Sequence, residues 1–242
     1  MNTYILTCDK TVDKTMEMVE YSFKKYFPLT NIIVLGYKTP TVKSNTIKFD
    51  SLGEDKGPNI VCKQLYDYFS KIKDKHFIFC VDDMPLIEKV DIDVVSYITE
   101  LLKVNTNIGR FGLTLDIASR NHESIATVDK FSIIRSIFNP NNCLYSYKLS
   151  CTYSIWNCEY FLLYLNDFDN LWDWECYGSQ KSVHNDKWEI LGITPGVLDH
   201  AHIFKEGRIR RTWKDSAYNN MLNTKKTMVI EDQNIIKKIY NL

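Results

Sequence analysis

The first part of the chain alternates between apolar runs of strand length and stretches with helical spacing. The strand-like runs are residues 4–7, 31–35, 45–49 and 76–81. Between them, apolar side chains recur every three or four positions, which predicts helices over residues 12–26 and 60–72. Strands that alternate with helices in this way indicate an α/β fold in which helices wrap a mainly parallel sheet.

The pattern becomes mixed in the second part of the chain. Helices are predicted over residues 94–102 and 155–165, and strands at 108–115, within 124–147, and at 188–193 and 196–204. No internal repeat and no linker rich in proline, glycine or serine separates the two parts. We therefore expect one domain over residues 1–242, with its halves divided near residue 105.

Composition and charge argue against several classes of function. The 30 basic side chains balance the 30 acidic ones, so no overall field favours nucleic acid or an anionic membrane. No apolar run approaches the ~20 residues of a membrane span, and the first residues lack the basic start of a signal peptide. The seven cysteines form no C-x-x-C pair, which predicts reduced thiols and a cytoplasmic protein.

Two adjacent carboxylates, Asp82 and Asp83, directly follow the apolar run at residues 76–81. Ligands bind beyond the carboxyl ends of parallel strands, and Thr7 and Asp9 follow the first strand at the same edge. Neighbouring carboxylates repel each other unless a cation or protons neutralise them, and hard oxygen ligands suit Mg²⁺ or Mn²⁺. The sequence thus predicts a divalent-metal site for an anionic ligand. The alternative is that the two acids only cap the following turn.

Residues 77–87 (FIFCVDDMPLI) resemble the carboxylate motif of GT-A glycosyltransferases, in which an acidic cluster ends a core strand. The resemblance implies a GT-A-like fold, with a nucleotide-binding half over residues 1–105 and an acceptor- and metal-completing half over 106–242. It also implies that Asp83 binds the metal and that Asp82 lies close to the ribose or sugar of a UDP- or GDP-sugar.

A second similarity covers residues 149–175, which resemble the acceptor-side segment of small GT-A enzymes. An acid in this place of the family takes a proton from the acceptor hydroxyl, which belongs to a glycan or another hydroxyl compound. The resemblance implies that Glu175, set near Trp172 and Trp174, is the catalytic base, with Asp173 as the second candidate. The alternative is that the tryptophans belong to the core and Glu175 to the surface.

A third similarity covers residues 196–202 (GVLDHAH), which resemble the late histidine that completes the metal shell in GT-A enzymes. Side chains two apart on a strand point to the same face, so both His200 and His202 are candidate ligands, with His200 placed first. The following basic stretch offers Arg208 and Arg211 as partners for a diphosphate. The alternatives are structural histidines and a solvated charged face.

These features together predict a glycosyltransferase that uses a nucleotide sugar and Mn²⁺ or Mg²⁺. One alternative is a sugar-phosphate nucleotidyltransferase, which normally needs a glycine-rich phosphate loop after its first strand, whereas residues 6–11 contain no glycine. The other alternative is a non-catalytic nucleotide-sugar-binding protein, because Val81 and Met84 stand where the family motif has its flanking acid.

Overall fold

The central feature of the molecule is a nine-stranded sheet with helices packed on both faces. The computed structural model describes residues 1–7, 11–28, 30–137, 148–205, 208–209 and 228–241. The strands of the large sheet are β1 (Asn2–Leu6), β2 (Asn31–Gly36), β3 (Ile47–Ser51), β4 (His76–Val81), β5 (Ile108–Gly112), β6 (His122–Val128), β7 (Phe131–Ser136), β8 (Ser154–Asn157) and β9 (Glu189–Thr194). A separate short hairpin pairs β10 (Phe204–Lys205) with β11 (Arg208–Ile209).

The helices are short to medium in length. They are α1 (Val12–Tyr26), α2 (Val61–Phe69), α3 (Ile92–Val104), α4 (Cys158–Leu165), α5 (Leu171–Asp173), α6 (Ser179–Ser182) and α7 (Ile230–Tyr240). A 3₁₀ turn at Pro58–Ile60 precedes α2, and a π-helical turn at Trp174–Gly178 joins α5 to α6. Within the described part of the chain, none of these helices has the length and apolar character needed to cross a bilayer.

The strand order is β3-β2-β1-β4-β8-β5-β9-β7-β6. The first four strands in this order pair in parallel, and β5 pairs in parallel with β9. β8 is antiparallel to β4 and β5, and β7 is antiparallel to β9 and β6. All strands except β8 and β7 therefore run in one direction. The predicted α/β class, with a mainly parallel sheet and a mixed second half, is confirmed.

Each face of the sheet buries its own apolar core. In β1, Ile5 joins the core formed with α1, α3 and α7, whereas Tyr4 and Leu6 join the core formed with α2 and α4. This alternation follows from the period of two along a strand. The predicted apolar face of α1 is buried and consists of Val12, Met16, Val19, Phe23 and Tyr26.

The prediction of a single helix over residues 155–165 is wrong. The segment divides into β8 and α4, because Asn157 ends the strand and caps the helix: its Oδ1 accepts from the backbone N–H groups of Glu159 and Tyr160. The apolar residues before Asn157 fill the position between β4 and β5. An apolar run therefore served two elements, which periodicity alone did not separate.

The prediction of a strand over residues 196–204 is also wrong for most of its length. Only an isolated antiparallel bridge between Leu86 and His200 occurs before β10 begins. The backbone here pairs with the turn after β4: Ala201 N–H donates to Pro85 O over 3.0 Å and Ile203 N–H to Asp83 O over 2.9 Å. This segment thus crosses the edge of the sheet beside the acidic pair.

Candidate functional site

Asp82 occupies the turn at the carboxyl end of β4, next to the end of β1. The hydroxyls of Thr7 and Thr15 lie 2.6 Å and 3.0 Å from Asp82 Oδ2, so two buried donors hold one carboxylate oxygen. Thr15 lies in the first turn of α1, where the helix dipole favours negative charge. The structure thus brings together the predicted site residues Thr7 and Asp82.

Asp83, the second acid of the pair, has a buried carboxylate oxygen without a protein partner. Its Oδ1 makes no hydrogen bond, and its Oδ2 lies 3.7 Å from Nδ1 of His202. The Nε2 atoms of His202 and His200 are 3.3 Å apart, so His200 lies next to His202, the histidine that is near Asp83. We call Asp83, His200 and His202 the histidine row.

The two histidines of the row differ in environment. His200 is buried, and burial together with the neighbouring His202 lowers its pKa well below the ordinary range. Its Nδ1 has no hydrogen-bond partner, and the ring of Tyr153 packs against it. His202 is partly exposed and lies directly against Asp83. His202, rather than the first-placed His200, therefore contacts the predicted metal-binding acid.

The donor chemistry of the histidine row is compatible with a divalent cation. A neutral imidazole nitrogen and a carboxylate oxygen are both ligands for first-row divalent metals, and Asp83 Oδ1 is uncompensated. In the part of the chain that the structure describes, no three histidine, cysteine, aspartate or glutamate side chains converge as a complete metal site. The row therefore supplies suitable donor atoms, but these side chains would have to move closer together to bind a metal.

A cavity of about 560 Å³ opens beside Asp82 at the same edge of the sheet. It extends from the end of β4 past the ends of β1 and β2. Its lining residues are Leu6, Thr7, Tyr37, Asp55, Gly57, Pro58, Asn59, Val61, Val81, Asp82, Asn170, Leu171 and Trp172. None of the three residues of the histidine row lines it. Asp82 therefore lies where the cavity and the row meet.

The two tryptophans predicted to flank the catalytic base lie in different environments. Trp174 is fully buried and packs against Trp156 and Phe161, so its role is in the core. Trp172 is 65% exposed and forms part of the cavity wall. The alternative interpretation, that both belong to the core, therefore holds for Trp174 alone.

Glu175 lies in the π-helical turn, with its carboxylate directed inward. Its Oε1 accepts a hydrogen bond from Cys151 N–H over 2.5 Å, and Cys151 O accepts one from Val81 N–H over 3.3 Å. Two backbone links thus connect Glu175 to the residue before Asp82. Burial raises the pKa of Glu175, while the hydrogen bond from Cys151 and the charge of Arg110 oppose that rise. The interpretation of Glu175 as a surface residue is wrong.

Asp173, the second candidate for the base, is engaged at the start of α5. Asn170 Oδ1 accepts from Asp173 N–H over 2.9 Å, and Asn170 Nδ2 donates to Asp173 Oδ2 over 2.8 Å. This reciprocal arrangement is a helix cap. The carboxylate of Asp173 therefore takes part in capping α5, whereas that of Glu175 accepts a hydrogen bond from the backbone of Cys151.

Arg110 is a residue that the sequence reasoning missed. It is fully buried on β5, donates to Ser154 Oγ over 2.9 Å and Thr152 Oγ1 over 3.3 Å, and forms a salt bridge with Asp116. Its charge also opposes the rise that burial causes in the pKa of Glu175. Arginine is almost never fully buried unless it is paired, so a lone arginine inside a predicted strand was the available indication.

Two of the predicted contacts for the anionic ligand lie outside the described residues, and a third is described in its backbone alone. Asp9 and Arg211 are not described, and Arg208 is described only as part of the backbone of β11. Their roles stay predictions.

No protein-family model and no curated protein matches the chain. Solved structures with a similar layout include CMP:2-keto-3-deoxy-manno-octonic acid synthetase complexed with CTP, at 10% identity over 82% of this chain and 94% of that one, with a TM-score of 0.44. S. aureus TarS 1-349 in complex with UDP-GlcNAc matches at 11% identity over 86% of this chain and 60% of that one, with a TM-score of 0.47.

A further solved structure with a similar layout is the mannosyltransferase PcManGT from Pyrobaculum calidifontis in complex with GDP-Man and Mn²⁺. It matches at 8% identity over 85% of this chain and 58% of that one, with a TM-score of 0.46. The chain thus spans less than two thirds of the TarS and PcManGT structures. The likeness of these proteins to this chain is one of layout.

Proposed function

We propose that the chain is a metal-dependent glycosyltransferase, which moves a sugar from a UDP- or GDP-sugar to a hydroxyl of a glycan or another acceptor. The observation that carries the proposal is a buried carboxylate oxygen without a hydrogen-bond partner at the edge of the sheet. Asp83 Oδ1 is buried without a partner, beside two histidines and next to a cavity that ends at Asp82. Leaving a charged group unsatisfied is costly, so such an edge favours a cationic or metal-bound ligand.

In this proposal, the histidine row would hold Mn²⁺ or Mg²⁺. Asp83 and His202 are the contacting pair, and His200 lies behind them. The cation would neutralise the diphosphate that leaves the sugar. Asp82 keeps a fixed position through Thr7 and Thr15, and it faces the cavity where the ribose or sugar would bind.

The position of the cavity in the sheet supports different functions for the two halves of the chain. The cavity lies beyond the carboxyl ends of β1, β2 and β4, where parallel sheets bind ligands. We assign nucleotide binding mainly to residues 1–105. Residues 106–242 contribute the histidines, Trp172 and Glu175.

Glu175 is the proposed base. Burial raises the pKa of Glu175, which makes its carboxylate a better proton acceptor than an exposed one, and the charge of Arg110 opposes that rise. During transfer, Glu175 would take the hydroxyl proton as the acceptor oxygen bonds to the anomeric carbon. The bond to the diphosphate breaks, and the diphosphate keeps the bonding electrons.

The thiol chemistry fits the cytoplasmic location that the sequence predicted. The cysteines described by the structure are all free thiols: Cys62, Cys80, Cys151, Cys158 and Cys176. A reducing compartment preserves such thiols. We therefore propose a cytoplasmic enzyme.

The test is calorimetric titration with UDP and with GDP, each with Mn²⁺ and with a chelator. We expect wild-type protein to bind one of them in a Mn²⁺-dependent manner and Asp83→Asn to lose that dependence. The matched control is Asp93→Asn, which removes an exposed carboxylate at the start of α3, outside the site. Product analysis with the preferred nucleotide sugar and hydroxyl acceptors then tests for transfer.

Three outcomes separate the possibilities. Unchanged Mn²⁺-dependent binding by Asp83→Asn would place the metal elsewhere. Binding without any transfer or hydrolysis would favour a non-catalytic nucleotide-sugar-binding protein. Formation of a nucleotide sugar from a nucleoside triphosphate and a sugar phosphate would indicate a nucleotidyltransferase instead.

A further inference from the structure

Trp172 is an exposed indole at the mouth of a largely apolar cavity. Its 65% exposure contrasts with the full burial of Trp174, only two positions along the same helical segment. A large aromatic side chain gains little stability for the fold when it remains in water. Its place on the cavity wall therefore indicates a role toward a ligand.

The backbone around Trp172 is fixed on both sides. Asn170 and Asp173 form the reciprocal cap that starts α5, and Cys62 N–H donates to Asp169 O over 3.3 Å. The second contact joins this segment to the start of α2. The ring is thus carried by an anchored turn, which reduces the entropy lost when a ligand binds against it.

The position of Trp172 indicates which part of a ligand it contacts. The cavity wall includes Trp172 and Tyr37 but none of the histidine row, whereas Asp82 lines the cavity and directly precedes Asp83 of the row. A nucleotide whose diphosphate lies at the acidic pair would extend its nucleoside into the cavity. The ring of Trp172 is therefore on the nucleoside side of Asp82, away from the proposed metal.

We propose that Trp172 stacks on the nucleobase of the donor nucleotide, an inference that rests on the proposed function. Stacking tolerates any base, because every base has an aromatic face. Selection between bases then falls to polar groups on the same wall, Asp55 and Asn59, which can hydrogen-bond to a base edge. A residue from the second half of the chain thus completes a site built mainly from the first.

The test compares Trp172→Ala, Trp172→Phe and Tyr177→Ala by calorimetry with UDP, GDP and inorganic pyrophosphate, all with Mn²⁺. Tyr177 is the matched control because it is also an exposed aromatic residue, 52% exposed, on the same helical segment but outside the cavity wall. We expect Trp172→Ala to weaken binding of the preferred nucleoside diphosphate roughly 10- to 100-fold. Trp172→Phe should restore most of the affinity, and pyrophosphate binding should change in neither variant.

Stacking is overturned if wild-type protein binds UDP or GDP and Trp172→Ala binds it equally well; the proposed function then stands. Equal weakening of pyrophosphate and nucleotide in Trp172→Ala also overturns it, since the residue would then shape the whole site. If wild-type protein binds neither nucleotide, the proposed function fails and the inference fails with it. Thermal melting of each variant checks that the exposed substitution leaves the fold intact.

Discussion

The acidic pair at the end of β4 and Glu175 in the π-helical turn lie close together but are satisfied in different ways. Glu175 accepts a hydrogen bond from the backbone of Cys151, which itself pairs with Val81. In the pair, Asp82 is held by two threonine hydroxyls, whereas Asp83 keeps one buried oxygen without a partner. The protein itself satisfies the carboxylate of Glu175, whereas in the acidic pair one oxygen of Asp83 has no hydrogen-bond partner.

The difference in hydrogen bonding indicates which carboxylate is available to bind a ligand. A buried polar group without a partner costs stability, so it persists only where something else completes it. Asp83 is such a group, and the two histidines of the row supply further donors for a cation. Glu175 needs no cation, and its inward position suits a group that exchanges a proton. The comparison therefore separates the acid that we propose binds a cation from the acid that we propose transfers a proton.

The largest expected effect comes from Glu175→Gln. Glutamine retains an oxygen that can accept from Cys151 N–H but cannot take a proton, so we expect the transfer rate to fall roughly 10²–10⁴-fold. Nucleoside diphosphate binding should stay near the wild-type value, because Glu175 is neither a member of the histidine row nor a lining residue of the cavity. Steady-state kinetics and calorimetry on the same preparation measure both quantities.

Asp173→Asn is the matched control for that variant. Asp173 belongs to the cap of α5, and asparagine keeps its size and one acceptor oxygen. We expect its transfer rate to remain within a few-fold of wild type. A normal rate in Glu175→Gln, combined with a large loss in Asp173→Asn, would transfer the role of base to Asp173.

The fold was predictable where each apolar run or periodic apolar face forms a single strand or helix. In the first half, each apolar run forms one strand, and the periodic face of α1 is buried as expected. The second half was harder, because residues 155–165 carry one apolar run but form two elements. The separation depends on the cap formed by Asn157 and on the space between β4 and β5, which is a tertiary constraint.

The candidate site was predictable in its residue types but not in its arrangement. The position of Asp82 and Asp83 follows from the strand before them, so the sequence located the pair. The order of His202 and His200 relative to Asp83 depends on how residues 199–203 cross the turn after β4. Nothing in the sequence indicated that Thr15 would reach Asp82 or that Arg110 would influence Glu175.

Thr15→Val tests the hydrogen bond that holds Asp82, the acid of the pair that the protein itself satisfies. Valine has nearly the same shape as threonine but cannot donate to Asp82 Oδ2, so a hydrogen bond to a carboxylate is lost in a buried position. We expect the free energy of unfolding to fall by about 1–2 kcal/mol. Denaturant titration measures this change. Thr99→Val is the control, because Thr99 only bonds to a carbonyl of its own helix.

The result distinguishes two functions for Asp82. If the protein holds Asp82 in place, Thr15→Val lowers stability. If stability is unchanged while nucleotide binding is lost, Asp82 is instead held mainly by its ligand, and the contrast between the two acids of the pair disappears.

The smallest expected effect is the pH dependence of stability in Glu175→Gln. The pKa of Glu175 is raised above its ordinary value of 4.5, chiefly by burial. A carboxyl group with a raised folded pKa contributes stability below its unfolded pKa and loses that contribution as the pH rises through the folded pKa. Glutamine does not titrate. The unfolding free energy of Glu175→Gln minus that of wild type should therefore increase as the pH rises above about 4.5, and then level off.

Asp232 provides a control of opposite sign. Burial raises its pKa, but hydrogen bonds from Lys25, Tyr21 and Tyr26 outweigh burial, so its folded pKa is lowered. Its contribution to stability is present above the unfolded pKa and is lost as the pH falls, so Asp232→Asn should fall further below wild type as the pH rises from acid. Unfolding curves for the two variants and wild type at pH 2.5, 3, 4, 5, 6 and 7 give both slopes, that of Asp232→Asn at the acid end. If Glu175→Gln follows the slope of Asp232→Asn, Glu175 is held as a structural anion by Arg110, and its assignment as a proton acceptor loses its physical basis.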